Sequence, residues 1–160
     1  MNAKTIAVTT VNATEQARRI DETIAHRAYE IFERRGGMGW HELEDWRQAE
    51  SDVRSKLCFG LTSSEDSLFV GCDVAGFEEG SVEVWVAPRQ MTICGKPFGP
   101  KEQTAKSETH PYRGVVFRVV SLPVEVEPGR DLISLERNFL EIHLSTVHSK
   151  QESHVRAQAV

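Results

Sequence analysis

The chain lacks any apolar run long enough to cross a bilayer. Its longest, Val115 to Val120, is interrupted by Arg118, whereas a spanning helix needs roughly 20 apolar residues. The first residues mix Ile6, Val8 and Val11 with threonines and carry no continuous apolar core before a small-residue cleavage site, so a cytoplasmic location is expected. Cysteine is scarce: Cys58, Cys72 and Cys94 are odd in number and form no C-x-x-C pair. That argues against a disulfide framework and a thiolate zinc site, and leaves buried free thiols as the expectation. Positive charge is also short, with 19 Lys and Arg against 24 Asp and Glu. With no basic stripe, neither nucleic acid nor a membrane surface is an expected partner. There is no G-x-x-x-x-G-K-[ST] phosphate loop, so no nucleotide or other cofactor is expected. His143, His148 and His154 have the spacing of neither a helical pair nor a closed metal set, so no metal is expected. Nothing places Ser, His and Asp together as catalytic residues, and the chain is not expected to be an enzyme.

What is present is two different periodicities in one chain of 160 residues, enough for one core and an appendage. Residues 1–19 show no sustained period and read as a flexible arm. Residues 20–56 read as a two-helix module. Ile20, Ile24, Ala28, Ile31 and Phe32 fall on one helical stripe, and Gly36-Gly37-Met38-Gly39 ends it. A second helix follows with Leu43, Trp46, Ala49 and Val53 on one face. The short connection makes the two helices antiparallel neighbours, and Trp40 and Trp46 are expected to pack the hairpin.

Beyond Val53 the period shifts toward two. Strands are expected at 68–77, 82–86, 91–94, 115–122, 132–135 and 139–144, the polar Gly95 to Gly114 stretch forming a long loop. Many short strands with frequent turns predict a mainly β protein, an immunoglobulin-like β-sandwich over 57–146, preceded by an α-helical hairpin and followed by a flexible tail over 147–160.

Several segments of the sandwich carry a resemblance. Asp73-Val74-Ala75-Gly76-Phe77 is similar to a D-L-P-G-F segment, and Met91-Thr92-Ile93-Cys94-Gly95 to L-T-I-S-G. Gly114 to Pro123 aligns without gaps to G-x-F-x-R-x-F-x-L-P, and Ile133, Asn138, Phe139 and Leu140 stand where A-x(5)-G-V-L is usual. In order and spacing, residues 66–145 resemble the α-crystallin domain of small heat-shock proteins. Residues 20–54, with Arg27-Ala28-Tyr29-Glu30-Ile31 and Asp45-Trp46-Arg47-Gln48-Ala49-Glu50, resemble a small bacterial helical domain of unassigned function.

The resemblance implies an ATP-independent holdase that binds unfolding client proteins and limits their aggregation. A non-catalytic adaptor module on the same sandwich is the alternative. It also implies a homodimer interface at Arg118 with Tyr112 and Gly114, and a long loop that carries a strand to the partner. A groove receiving an I-x-I segment is implied, with walls at Val82, Val84, Val86, Leu140, Ile142 and Leu144. The segment from His143 to Val160 contains no I-x-I, which favours a homodimer or small homo-oligomer.

Overall fold

The computed structural model describes residues 6–98 and 112–147. The chain runs β1 (Ala7–Thr10), α1 (Ala13–Arg34), α2 (Glu42–Val53), β2 (Phe59–Ser63), β3 (Ser67–Asp73), β4 (Glu83–Ala87), β5 (Gln90–Gly95), β6 (Val116–Ser121), β7 (Leu132–Glu136) and β8 (Phe139–Ser145). The strands form two four-stranded sheets, ordered β1-β4-β5-β6 and β2-β3-β8-β7. All pairs are antiparallel except β1 with β4. A mainly β sandwich behind two helices is therefore the architecture.

The period of two explains the shared core. Val84, Val86, Met91, Ile93 and Val120 point inward from the first sheet onto Leu68, Val70, Cys72, Leu140, Ile142 and Leu144 from the second. The β7–β8 hairpin turns on Arg137 and Asn138 at φ 49° and 69°, the left-handed pair that matches strand twist in a two-residue turn. Asn138 tolerates that region well, and Arg137 is the less usual occupant.

Residues 1–19 are not simply an arm. From Ile6 the chain forms β1, and α1 starts at Ala13, seven residues before the expected boundary at 20. Asn12 caps the helix, its side-chain oxygen accepting from the Glu15 backbone N–H at 2.8 Å. Residues 1–5 lie outside the described residues. Two signals were available: the β-branched run Ile6-Ala7-Val8-Thr9-Thr10-Val11, and Asn12 three residues before Glu15. β2 was also unexpected, because Gly60, Thr62 and Ser63 leave its alternation without contrast.

The helices are antiparallel, with ion pairs Arg27–Asp52 (2.8 Å) and Arg35–Asp45 joining opposite ends. Helix α1 buries Gln16, Ile20, Ile24, Arg27 and Ile31, while α2 buries Asp45, Ala49, Asp52 and Val53. The buried face of α2 is thus rotated from the expected one, and Leu43 is exposed. The cause is electrostatic. Arg27 is 3% exposed and must have a carboxylate, which draws Asp52 inward, with Gln48 donating to its other oxygen at 2.9 Å.

Trp40 and Trp46 do not pack the hairpin as expected. Trp40 is 98% exposed and sits at φ 88°, in the turn that follows Gly36 and Gly37, and Trp46 is partly exposed. The module is also not a separate appendage. Ile20, Ile24, Ile31, Ala49 and Val53 pack onto Trp85, Cys94 and Phe117, which are the outward residues of β4, β5 and β6.

Candidate functional site

Five of the six residues expected as groove walls are core: Val84, Val86, Leu140, Ile142 and Leu144 are fully buried between the sheets. The period of two puts them there, since each faces inward from its strand. Only Val82 stays half-buried at the surface. The edge of β4 that would border a groove carries β1, in the parallel register Ala7↔Glu83, Val8↔Val84, Thr9↔Trp85 and Thr10↔Val86. Ile6 and Val8 lie partly buried against the core.

Beside Ile6 opens a cleft of about 230 Å³, lined by Val74, Phe77, Val82, Phe98 and Leu135 among others. Phe77 reaches it because Gly95 has no side chain: a Cβ there would lie 2.7 Å from the ring. An isolated bridge between Phe77 and Pro97 fixes this corner.

A buried polar joint holds the end of β1. The Val11 N–H donates to the Val86 carbonyl at 3.0 Å. Gln16, fully buried, donates from Nε2 to the Val11 carbonyl at 2.7 Å. Its Oε1 accepts from Thr92 Oγ1 at 2.7 Å and Gln90 Nε2 at 3.0 Å. Each polar atom of that amide is thereby used, which a fully buried glutamine requires.

The expected interface residues separate onto two faces of the first sheet. Arg118 pairs with Ile93 and faces inward at the open side of the sandwich, its guanidinium 5.1 Å from the Phe59 ring centroid. Its Nε is buried and has no hydrogen-bond partner among the described residues. Tyr112 instead belongs to the helix-covered side, with the Arg27 guanidinium 5.4 Å from its ring centroid. Its hydroxyl donates to the Val115 carbonyl at 2.7 Å, and burial pushes its pKa up to about 12. Gly114 lies under that ring, where a Cβ would come within 2.4 Å of the hydroxyl oxygen. Tyr112 and Gly114 therefore also line a cavity of about 530 Å³ with His26, Arg27, Glu30 and Arg34. Residues 99–111, most of the loop expected to reach a partner, lie outside the described residues.

Cys72 and Cys94 are buried as expected, and burial raises their thiols to about 11 and about 12. Cys58 is exposed, contrary to expectation. It falls between α2 and β2, where the chain crosses the surface. His143 packs edge-on to Phe69 with centroids 3.7 Å apart, while His148 and His154 lie outside the described residues. Among the described residues no three His, Cys, Asp or Glu side chains are grouped to hold a metal ion. No helix among them is long and apolar enough to cross a membrane.

With two helices and one sandwich face joined in this way, the boundaries of the helical unit can be compared with known families. Residues 20–55 match the family described as Protein of unknown function (DUF2934). The match takes in all of α2 and most of α1, leaving β1 and the Gln16 joint outside it. No curated protein matches the sequence. Among solved structures, heat shock protein 16.0 from Schizosaccharomyces pombe is 17% identical with a TM-score of 0.46, over 59% of this chain and 89% of that one. The Del-C4 mutant of hsp14.1 from Sulfolobus solfatataricus P2 is 19% identical with a TM-score of 0.44, over 75% and 97%. A small heat-shock protein from Xylella fastidiosa is 15% identical with a TM-score of 0.42, over 58% and 87%. The chain is similar to small heat-shock proteins.

Proposed function

We propose that this protein is an ATP-independent holdase that binds partly unfolded chains in the cytoplasm. The observation that supports this reading is the β4 edge, whose backbone receives an extended strand with two aliphatic residues two apart, Ile6 and Val8, packed against the core. Main-chain bonds supply affinity without sequence preference, and alternate side chains find apolar seats. That is the chemistry an unfolding segment offers. The test is light scattering of a heat-denatured client without ATP. Scattering is expected to fall at equimolar subunit ratio, and unchanged scattering would remove the reading.

We also propose a homodimer through the face bearing Arg118. A buried guanidinium nitrogen without a partner among the described residues is suited to a carboxylate supplied by a second copy, since a buried donor left unpaired costs about 1–3 kcal/mol. Arg118→Ala is expected to raise the dimer dissociation constant at least about tenfold in sedimentation, a change of about 1.4 kcal/mol. An unchanged constant excludes Arg118 from the interface. The second reading, an adaptor for one partner, is favoured by the exposed Met38, Trp40 and Leu43 at the hairpin end, and it takes over if clients are not protected.

A further inference from the structure

We propose that the cavity between α1 and the approach to β6 binds a small molecule through a phosphate group. The inference goes beyond the holdase reading and does not rest on it.

The cavity, of about 530 Å³, falls in the range of small-molecule sites, roughly 300–1,000 Å³. The chain as a whole is acidic, with a net charge of −5, yet this lining holds Arg27, Arg34 and Arg113 against a single carboxylate, Glu30. The charges come from two parts of the chain. His26, Glu30 and Arg34 recur every four residues and so share one edge of α1, while Arg113 stands on the segment that leads into β6. No phosphate-loop motif is involved, because packing of the helix against the sandwich brings these residues together. Tyr112 packs against the helix-covered cluster, and its hydroxyl on the Val115 carbonyl at 2.7 Å closes the turn that carries Arg113.

The arginines are not equally engaged. Arg27, 3% exposed, donates from Nε to Asp52 at 2.8 Å and from Nη1 to Glu30 at 3.3 Å. Glu30 is also approached by His26 Nδ1 at 3.4 Å. Arg34 and Arg113 form no ion pair with a described residue. Counting Asp52 behind Arg27, three guanidinium charges meet two carboxylates, and the excess lies with Arg34 and Arg113. An anion here would also meet the C-terminal end of α1, whose open carbonyls repel negative charge. Those of Ile31, Phe32 and Glu33 are capped by the N–H groups of Arg35, Gly37 and Gly36, which blunts that repulsion. The ligand chemistry follows from the donors. Guanidinium groups arriving from two directions offer several N–H forks at once, and a phosphate, with three terminal oxygens and up to two charges, can engage more than one of them.

The test is titration calorimetry on the full chain near neutral pH, with pyrophosphate, adenosine monophosphate and adenosine as probes. Both phosphates are expected to bind with a Kd of about 1 mM or tighter, and adenosine at least about tenfold more weakly than its monophosphate. Tighter binding of the monophosphate marks an organic phosphate as the ligand, and tighter binding of pyrophosphate an inorganic one. Arg34→Gln with Arg113→Gln is expected to weaken both at least about tenfold. Arg130→Gln, at an exposed arginine paired with Glu127, is expected to leave them unchanged. The proposal is overturned by absence of binding, by adenosine binding as tightly as the monophosphate, by equal loss in Arg130→Gln, or by undiminished binding in a double variant that melts cooperatively. If the double variant does not fold, phenylglyoxal modification of the unsubstituted chain decides, read by peptide mass spectrometry. Pyrophosphate is expected to slow modification of Arg34 and Arg113 at least about tenfold more than that of Arg130, and equal slowing at all three overturns the idea.

Discussion

The two sheets share one core but face the outside in different ways. The first, β1-β4-β5-β6, is covered on its outer face by α1 and α2, with Trp85, Cys94 and Phe117 beneath the helices. The second, β2-β3-β8-β7, has an outer face that no helix among the described residues covers, where Phe139 is half exposed and Leu132 is 72% exposed. The contrast shows that sheet position alone does not set a residue's contribution. A strand covered on both faces buries nearly every residue, as in β4 and β5, while β7 alternates exposed and half-buried positions. It also accounts for the buried ions of the hairpin. Covering a sheet with helices places their inner stripe in a dry layer, where Arg27 needs Asp52.

The sharpest way to break this comparison is to remove one aliphatic side chain from each outer layer. Ile24→Ala, on the inner face of α1, is expected to destabilise by about 2–5 kcal/mol, through lost burial and a residual cavity. Leu132→Ala, on the outer face of the second sheet, is expected to change stability by no more than about 0.5 kcal/mol. Urea denaturation measures both, and similar losses at the two sites would mean that the second face is covered in solution.

A smaller effect sharpens the comparison through pH. Cys94 lies under the helices, and burial raises its thiol from 9.0 to about 12. The folded state thus favours the neutral thiol. Its contribution is complete below the unfolded value near 9.0 and is lost as pH rises toward 12. Cys72 in the shared core and Tyr112 add in the same direction. The urea midpoint is expected to hold steady from pH 7 to 8 and fall by pH 10, and Cys94→Ala is expected to reduce that fall. An identical pH profile in the variant would show that the covered thiol ionises freely.

How much of this was legible in the sequence follows from what each residue answers to. β4, β5, β6 and β8 were readable because alternating burial leaves a period of two. The β7–β8 turn was legible at Asn138, whose side chain suits a left-handed backbone. The helices were recognisable, but the buried face of α2 was not, because ion pairing with Arg27 and Arg35 overrode the apolar stripe through Leu43 and Trp46. Groove wall and core were not separable in the sequence for a related reason: alternation identifies inward residues without saying whether they meet the opposite sheet or solvent. β1 was missed because its partner strand lies more than seventy residues further on, and a four-residue strand has no internal period. Tyr112 and Gly114 bear an intramolecular contact that appears only once α1 is placed beside β6.

The parallel pairing of β1 with β4 also sets an order of events during synthesis. Residues 6–11 leave the ribosome before their seat, which requires β4, held in turn by β5 and β6, the last of which ends at Ser121. Contacts so distant in sequence form late. β1 is therefore made before its seat and placed after it. Until then its β-prone, nearly uncharged residues have the capped start of α1 beside them and no strand to pair with.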